Sequence, residues 1–296
     1  MPRPGTDVGL GHGDLVLCSG TLPRHTPFLE RLESAVAGGY AGLSLWGRDY
    51  RAARDEGYSD GDLAAMIADH GLQVAELDPA WWWTPGAEGV DVPPELDPVD
   101  VFRFGEAELL RIAGVVGARS LNAADVLGGR WGVDEAAAAF ARLCDRAAEH
   151  GLLVHLEWLA WSRIPDLATA WEVVRLADRD NGGLNVDTWH CTRAGTTVEE
   201  LRTIPGERVL GIQLDDGPAR PEADLVEATL HERIVPGAGA FDLAGYLGAL
   251  EAIGAVAPFG VEVFSDDLHA LGPVEAARRS ADATRRVLGA SGIRVS

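Results

Sequence analysis

Four short apolar runs in the second half of the chain end on oxygen-bearing side chains. Glu157 closes "GLLVHLEW", Asp187 closes the apolar part of "GGLNVDTW", Gln213 leads to Asp215 and Asp216 in "RVLGIQLDD", and Glu262 lies within "FGVEVFSDD". Carboxylate and carboxamide oxygens are hard donors that suit Mg2+ or Mn2+, and the sequence has no His/Cys cluster of the kind a structural zinc site needs. An acidic residue at the end of an apolar run usually caps a helix. Glu157 and Glu262 differ, because apolar residues surround them and a buried carboxylate without a partner is expensive. A shared cation removes that cost for both. Asp215, Asp216, Asp266 and Asp267 read instead as caps or solvated loop charges.

The elements that must hold these residues recur along the whole chain. Eight short apolar runs read as strands: "DLVLCSG", "AGLSLWG", "GLQVAELD", "ARSLNAAD", "GLLVHLEW", "GGLNVDTW", "RVLGIQLDD" and "FGVEVFSDD". Helical patterns lie between them. In "DEAAAAFARLCDRAAEHG" (134–151), Ala, Phe, Leu and Cys form an apolar face and Gly151 supplies the stop; "VEAARRSADATRRVLG" closes the chain in the same style. Strands apolar on both faces that alternate with helices imply a parallel sheet covered by helices. Eight such units over 296 residues predict a single (β/α)8 TIM barrel spanning residues 1–296. A doubly wound sheet would carry a glycine-rich phosphate fingerprint after an early strand, and "GLGHGDL" is a poor one. The Pro- and Gly-rich stretch 81–100 is expected to be a long loop on the catalytic face, where the carboxyl ends of the strands point.

Composition narrows the function. A formal charge of −21 argues against nucleic acid, whose binding needs Lys and Arg to displace counterions. Three separated cysteines, Cys18, Cys144 and Cys191, give no disulfide framework and fit a reducing cytoplasm. The amino terminus lacks the pattern of a signal peptide, and no apolar run reaches membrane-spanning length, so no membrane partner is expected.

The run "VDTWH", with "HLEW" before it and "IQLDDGP", "RIVPGAGAFDL" and "GVEVF" after it, resembles the xylose isomerase-like TIM-barrel family of sugar isomerases and epimerases. That family also includes inosose dehydratase, tagatose epimerase-type enzymes and, more distantly, endonuclease IV. The resemblance implies a divalent metal held by Glu157, Asp187, Gln213 and Glu262, with Gln213 standing where many epimerases have His. It also implies that His190 touches substrate oxygen and that Arg233 faces the substrate, although Arg233 also reads as a cation at a helix C-terminus. A homo-oligomer is expected on the same ground. The endonuclease branch requires a His-rich multi-zinc cluster and a basic surface, and the chain has neither.

His155 shares a strand face with Glu157 and is expected in the barrel core or behind the ligand; His12 and His25 are candidates to reach the mouth. Indoles gather at strand ends: Trp46, Trp81, Trp82, Trp83, Trp158 and Trp161. Of these, Trp46, Trp81, Trp83 and Trp158 are expected to line a pocket that stacks on a sugar ring or flat ligand. The acidic loops after strands seven and eight disfavour a phosphorylated substrate. The expected chemistry is isomerisation or epimerisation of a keto-sugar, cyclitol or related hydroxy-ketone. The metal chelates the substrate and acidifies a C–H bond, while Glu157 and Glu262 serve as acid and base. Two alternatives stand beside it: a lyase that expels water or an aglycone, and a non-catalytic binding or partner subunit.

Overall fold

Strands β1 (Leu15–Leu17), β2 (Gly42–Trp46), β3 (Gln73–Ala80), β4 (Ser120–Ala123), β5 (Leu153–Glu157), β6 (Gly182–Asp187), β7 (Val209–Leu214) and β8 (Phe259–Val261) each pair in parallel with the next. β8 returns to β1 and closes the barrel. The computed structural model describes residues 9–87, 90, 92, 101–127, 129–220 and 223–295. Outside the strands lie α1 (Phe28–Gly38), α2 (Gly47–Asp55), α3 (Asp60–Asp69), α4 (Glu106–Val116), α5 (Val133–Glu149) and α6 (Leu167–Ala177). The remaining helices are α7 (Thr188–Ala194), α8 (Val198–Leu201), α9 (Leu225–His231), α10 (Leu243–Ala252), α11 (Asp266–His269) and α12 (Pro273–Ala290).

Both faces of the strands are buried, as their continuous apolar runs require. The covering helices bury one stripe each. In α5 this is Ala136, Phe140, Leu143, Cys144 and Ala147, at spacings of three and four. Gly151 follows with φ of 72°, a left-handed conformation that ends the helix and turns the chain into β5. α12 lies along α1, where the Tyr40 hydroxyl donates to the Ala277 carbonyl oxygen, and so ties the last barrel unit to the first.

Register decides where the chemistry falls. Glu157 stands opposite Asn185, Asp187 opposite Gln213, and Gln213 opposite Gly260. The acidic and amide side chains of β5 to β8 therefore meet at the carboxyl end of the barrel. The 81–100 stretch leaves β3 at that same end, with turns over 82–87; residues 88, 89, 91 and 93–100 lie outside the described residues. Among the described residues, no helix is long and apolar enough to cross a membrane.

Candidate active site

Asp187 ends β6 and caps α7: its Oδ1 accepts from the Trp189 backbone N–H at 2.6 Å. That tight strand-to-helix turn places His190 one helical step later, over the same opening. The His190 Nε2 lies 3.7 Å from Glu157 Oε1 and 3.9 Å from Asp187 Oδ2. One donor atom from each of Glu157, Asp187 and His190 lies within 4.8 Å of the others. The His190 ring packs edge-on against Trp161, and its Nδ1 is buried without a hydrogen-bond partner.

Glu262 joins this group through Arg233. The Arg233 Nη1 donates to Asp187 Oδ2 at 2.8 Å, to Asp215 Oδ2 at 2.5 Å and to Glu262 Oε2 at 3.3 Å. Its Nε donates to the carbonyl oxygen of Thr229 in α9, while the guanidinium lies over the rings of Trp189 and Phe264. Arg233 thus bonds the end of α9 through Nε and the buried carboxylate cluster through Nη1. Asp215 departs from its expected role as a cap or solvated charge. It is fully buried and also accepts from the Thr188 hydroxyl at 2.6 Å, because β7 runs inward long enough to carry it under Arg233. Asp216 is buried too, and accepts from the backbone N–H groups of Gly217, Gly237, Gly239 and Phe241, a loop-organising role. Asp266 and Asp267 are exposed, as expected.

Asn122 supports Glu157 from below and is itself tied to Asp78 and, through Asp78, to Trp46. The Asn122 amide nitrogen donates to Glu157 Oε2 at 2.7 Å and to Asp78 Oδ1 at 2.9 Å, and the Trp46 indole donates to Asp78 Oδ2. His155 sits in the barrel core, its Nε2 3.1 Å from Glu76 Oε2. Glu76 Oε1 accepts from Gln213 Nε2 at 3.2 Å, and so does Glu262 Oε1. The Gln213 oxygen accepts from Asn185 at 2.8 Å. Gln213 thus stands beside Glu262 as expected, but with its nitrogen rather than its oxygen toward it.

The electrostatics follow from crowding. Burial, then repulsion from Asp187 and Asp78, holds the Glu157 carboxyl well above its ordinary range. Glu262 is raised by burial and by Glu157 and Asp187 against the opposing pull of Arg233. Asp215 is raised by burial and by Asp187. Burial also acts on Asp187, but the Arg233 guanidinium, with the Trp189 backbone N–H, outweighs it and leaves that carboxyl below its usual value. Asp78 is lifted to about 7 by burial and by Glu76, and burial drives His190 down to about 3, so its imidazole is neutral at neutral pH. A cluster of buried carboxylates that one guanidinium leaves under-neutralised is a donor set that fits a divalent cation. Glu157, Asp187 and Glu262 present oxygens for it; Gln213 would have to turn its amide.

Above the cluster lies a cavity of about 100 Å³. Glu157, His190, Arg233, Glu262 and Asp78 line it together with Trp46, Trp81, Trp161, Leu159, Leu230 and Phe264. Trp46 and Trp81 line this cavity, and Trp161 joins them. Trp83 and Trp158 do not line this cavity. Trp158 is fully buried, and Trp83 packs against Phe140 and donates to the Ala124 carbonyl oxygen. Both fill the core: Trp158 directly follows cavity-lining Glu157 at the end of β5, and Trp83 lies in the turn after β3. His12 lies at the other end of the barrel, edge-on to Phe259 at the start of β8, and His25 is exposed.

Asp78, Asn122, Glu76 and Asn185 escaped the sequence reading, in which Asp215 stands only as a cap or solvated charge. A signal existed for three of them. Glu76 and Asp78 are two apart in "VAELDPA", and Asn185 is two before Asp187, so each pair shares a strand face.

Comparison with known proteins places this geometry in context. The chain is 30% identical over 263 residues to a 3-dehydroshikimate dehydratase of Pseudomonas aeruginosa, covering 86% of this chain and 38% of that enzyme. It is 31% identical over 136 residues to an inosose isomerase of Bacillus subtilis, covering 45% of this chain and 48% of that protein. The chain therefore spans less than half the length of these two curated relatives. Among solved structures, the IOLI protein with a bound zinc atom superposes with a TM-score of 0.80 at 21% identity, covering 94% of this chain and 99% of that one. L-ribulose 3-epimerase gives 0.66 at 18% identity, covering 94% and 95%. These two likenesses concern the fold. The family model for the xylose isomerase-like TIM barrel matches residues 32–287, and the chain belongs to that family.

Proposed function

We propose that this protein is a divalent-metal-dependent enzyme that moves a proton beside the carbonyl of a small, uncharged polyhydroxy ketone, as an isomerase or epimerase of a keto-sugar or cyclitol. The observation that carries this reading is the convergence of Glu157, Asp187 and His190 donor atoms within 4.8 Å, beside Glu262, at the floor of a cavity walled by aromatic side chains. The chemistry a divalent ion supplies at such a site is polarisation of a carbonyl oxygen, which acidifies the neighbouring C–H. Glu157, Asp187, Glu262 and the turned Gln213 would hold it, and their oxygen-rich set favours Mn2+ or Mg2+.

The remaining work falls to the chain's own groups. Glu157 and Glu262 line the same cavity, so one removes the proton and the other returns one to the opposite face or the neighbouring carbon. Neutral His190 hydrogen-bonds a substrate oxygen without adding charge. Arg233 fixes the carboxylates Asp187 and Glu262 in place and lines the cavity floor beside the reacting oxygens. Trp46, Trp81, Trp161 and Phe264 supply apolar walls that exclude water and stack on the C–H face of a ring. The floor is acidic and Arg233 is already engaged by three carboxylates, which disfavours a phosphorylated substrate. Three free, buried cysteines support a reducing, cytoplasmic setting.

A second reading, dehydration of a hydroxy-ketone, is favoured by one observation: the match to 3-dehydroshikimate dehydratase extends over 86% of this chain. Both readings share the first proton abstraction and differ in whether a hydroxyl then departs. The test starts with metal analysis of the purified chain and its Glu262→Gln variant after dialysis against Mn2+. About one ion per chain, lost in the variant, is expected. Deuterium uptake from D2O into inosose then supports the isomerase reading, whereas loss of water from 3-dehydroshikimate supports the lyase. No bound metal in the unmodified chain overturns both and leaves a non-catalytic binding protein.

A further inference from the structure

Below the cavity, two buried amides face each other across β6 and β7. Asn185 Nδ2 donates to Gln213 Oε1 at 2.8 Å, and Asn185 Oδ1 is left buried with no hydrogen-bond partner. Gln213 Nε2 points the other way, to Glu76 Oε1 and Glu262 Oε1, each at 3.2 Å. Asn185 is fully buried and Gln213 is 1% exposed, so bulk water does not compete for these groups.

The buried Asn185 amide makes one bond to Gln213 and leaves its other atom unpaired in either orientation, so a second arrangement of the pair is open at similar internal cost. The terminal torsions of Asn and Gln are broad and two-fold, so each amide can exchange its oxygen and nitrogen by a half-turn. When both turn, Gln213 Nε2 donates to Asn185 Oδ1 and the bond between the two residues survives with its direction reversed. Gln213 Oε1 then faces Glu262 and Glu76. Oxygen against carboxylate is repulsive there unless a cation lies between them, whereas the observed nitrogen is favourable without one. Space for the turn comes from Gly211, the register partner of Asn185: a Cβ at that position would stand 2.6 Å from Asn185 Oδ1.

We propose that Asn185 is the positioning residue for Gln213, and that the two amides turn together when a divalent cation binds. Gln213 offers its nitrogen to Glu262 in the cation-free protein and its oxygen to the cation in the loaded one. Asn185 never touches the ion; it receives whichever end of the Gln213 amide the ion does not use. This inference rests on the reading of the site as a divalent-metal centre.

The test uses the full chain and its affinity for Mn2+, measured by calorimetry. Asn185→Asp can only accept, so it holds the Gln213 nitrogen inward and the oxygen toward the cation. It is expected to tighten Mn2+ binding by about fivefold or more. In a Gln213→Leu background the same substitution should change affinity by less than about twofold. An equal gain in both backgrounds would mean that the added charge acts directly, and overturns the coupling. Because a variant can fail to fold, a second measurement uses the unmodified 15N-labelled protein titrated with Mg2+ or Zn2+. The side-chain amide signals of Asn185 and Gln213, assigned by their loss in Asn185→Asp and Gln213→Leu, should both shift on saturation. Bound ion with unmoved amide signals sinks this inference alone, and absence of binding by Mn2+, Mg2+ and Zn2+ sinks the metal-centre reading with it.

Discussion

Arg233 Nη1 lies 2.8 Å from Oδ2 of Asp187, and the same nitrogen also reaches Asp215 and Glu262. One cationic group from the loop after α9 thus balances three buried carboxylates from three strands. The pairing holds the floor of the site together without a metal, and it makes that floor sensitive to any change at Arg233.

Replacing Arg233 with Ala should therefore destabilise the metal-free protein by about 3–5 kcal/mol, the range for leaving one side of a buried ion pair uncompensated. Urea denaturation at pH 8 measures it. Added Mn2+ should recover part of the loss, because a divalent ion can neutralise the same carboxylates. A change below about 1 kcal/mol would show that the cluster does not depend on the guanidinium.

The raised Glu262 carboxyl gives a stability signature with a definite sign. Its folded form keeps a proton that the unfolded chain releases above about pH 4.3, so the stability it contributes is present in acid and is lost as pH rises. Glu262→Gln cannot ionise and escapes that loss. In the absence of metal, the variant should melt higher than the unmodified chain at pH 8 by about 2–4 °C, the shift for roughly 1 kcal/mol in a domain this large. The gain should vanish near pH 4. With Mn2+ present at pH 8 the order should reverse, since the variant loses a ligand.

The indoles divide into two groups that mutagenesis should separate. Trp158 and Trp83 are core residues, so Ala at either should cost about 3–5 kcal/mol of stability. Trp81 and Trp161 line the cavity and are half-buried. Ala at either should cost less than about 1 kcal/mol while raising the KM for whichever ketone the protein turns over by about 2–10-fold, the scale of a lost ring contact. Equal stability losses in both groups would contradict this division.

The cysteines should be chemically silent in the native protein. Burial, reinforced by nearby carboxylates, raises Cys18 and Cys191 well above the ordinary thiol range and lifts Cys144 to about 12. A chromogenic disulfide reagent at pH 8 should titrate none of the three thiols in the folded chain and all of them in guanidinium. Rapid modification of any one before unfolding would show an opening of the barrel wall that the structure does not contain.

Much of this site was legible before any coordinates. Glu157 and Glu262 could be read because each is embedded in apolar sequence, where an unpartnered carboxylate is costly enough to demand an explanation, whereas Asp187 reads only as a strand-end acid until the family resemblance singles it out. The closed barrel was legible for a related reason: strands apolar on both faces have to be covered on both, and eight of them alternating with helices leave few other arrangements. Arg233 was legible as a cation near a helix end, but not in its contacts with three buried carboxylates.

What the sequence could not decide depends on direction and register. Whether Trp158 faces the cavity or the helices turns on a half-period of a strand, and "HLEWLAW" does not say which indole looks inward. Asp215 reads like any acid after a strand until β7 is seen to carry it beneath Arg233. Gln213 announces an amide at the right strand end, yet only its contacts show which end of that amide faces Glu262. The residue types determined that a barrel would form and that acids and amides would gather at its mouth, because burial energies attach to types. The tertiary structure decided which of those groups touch, because hydrogen bonds between strands distant in sequence depend on angles and on distances of a few ångströms.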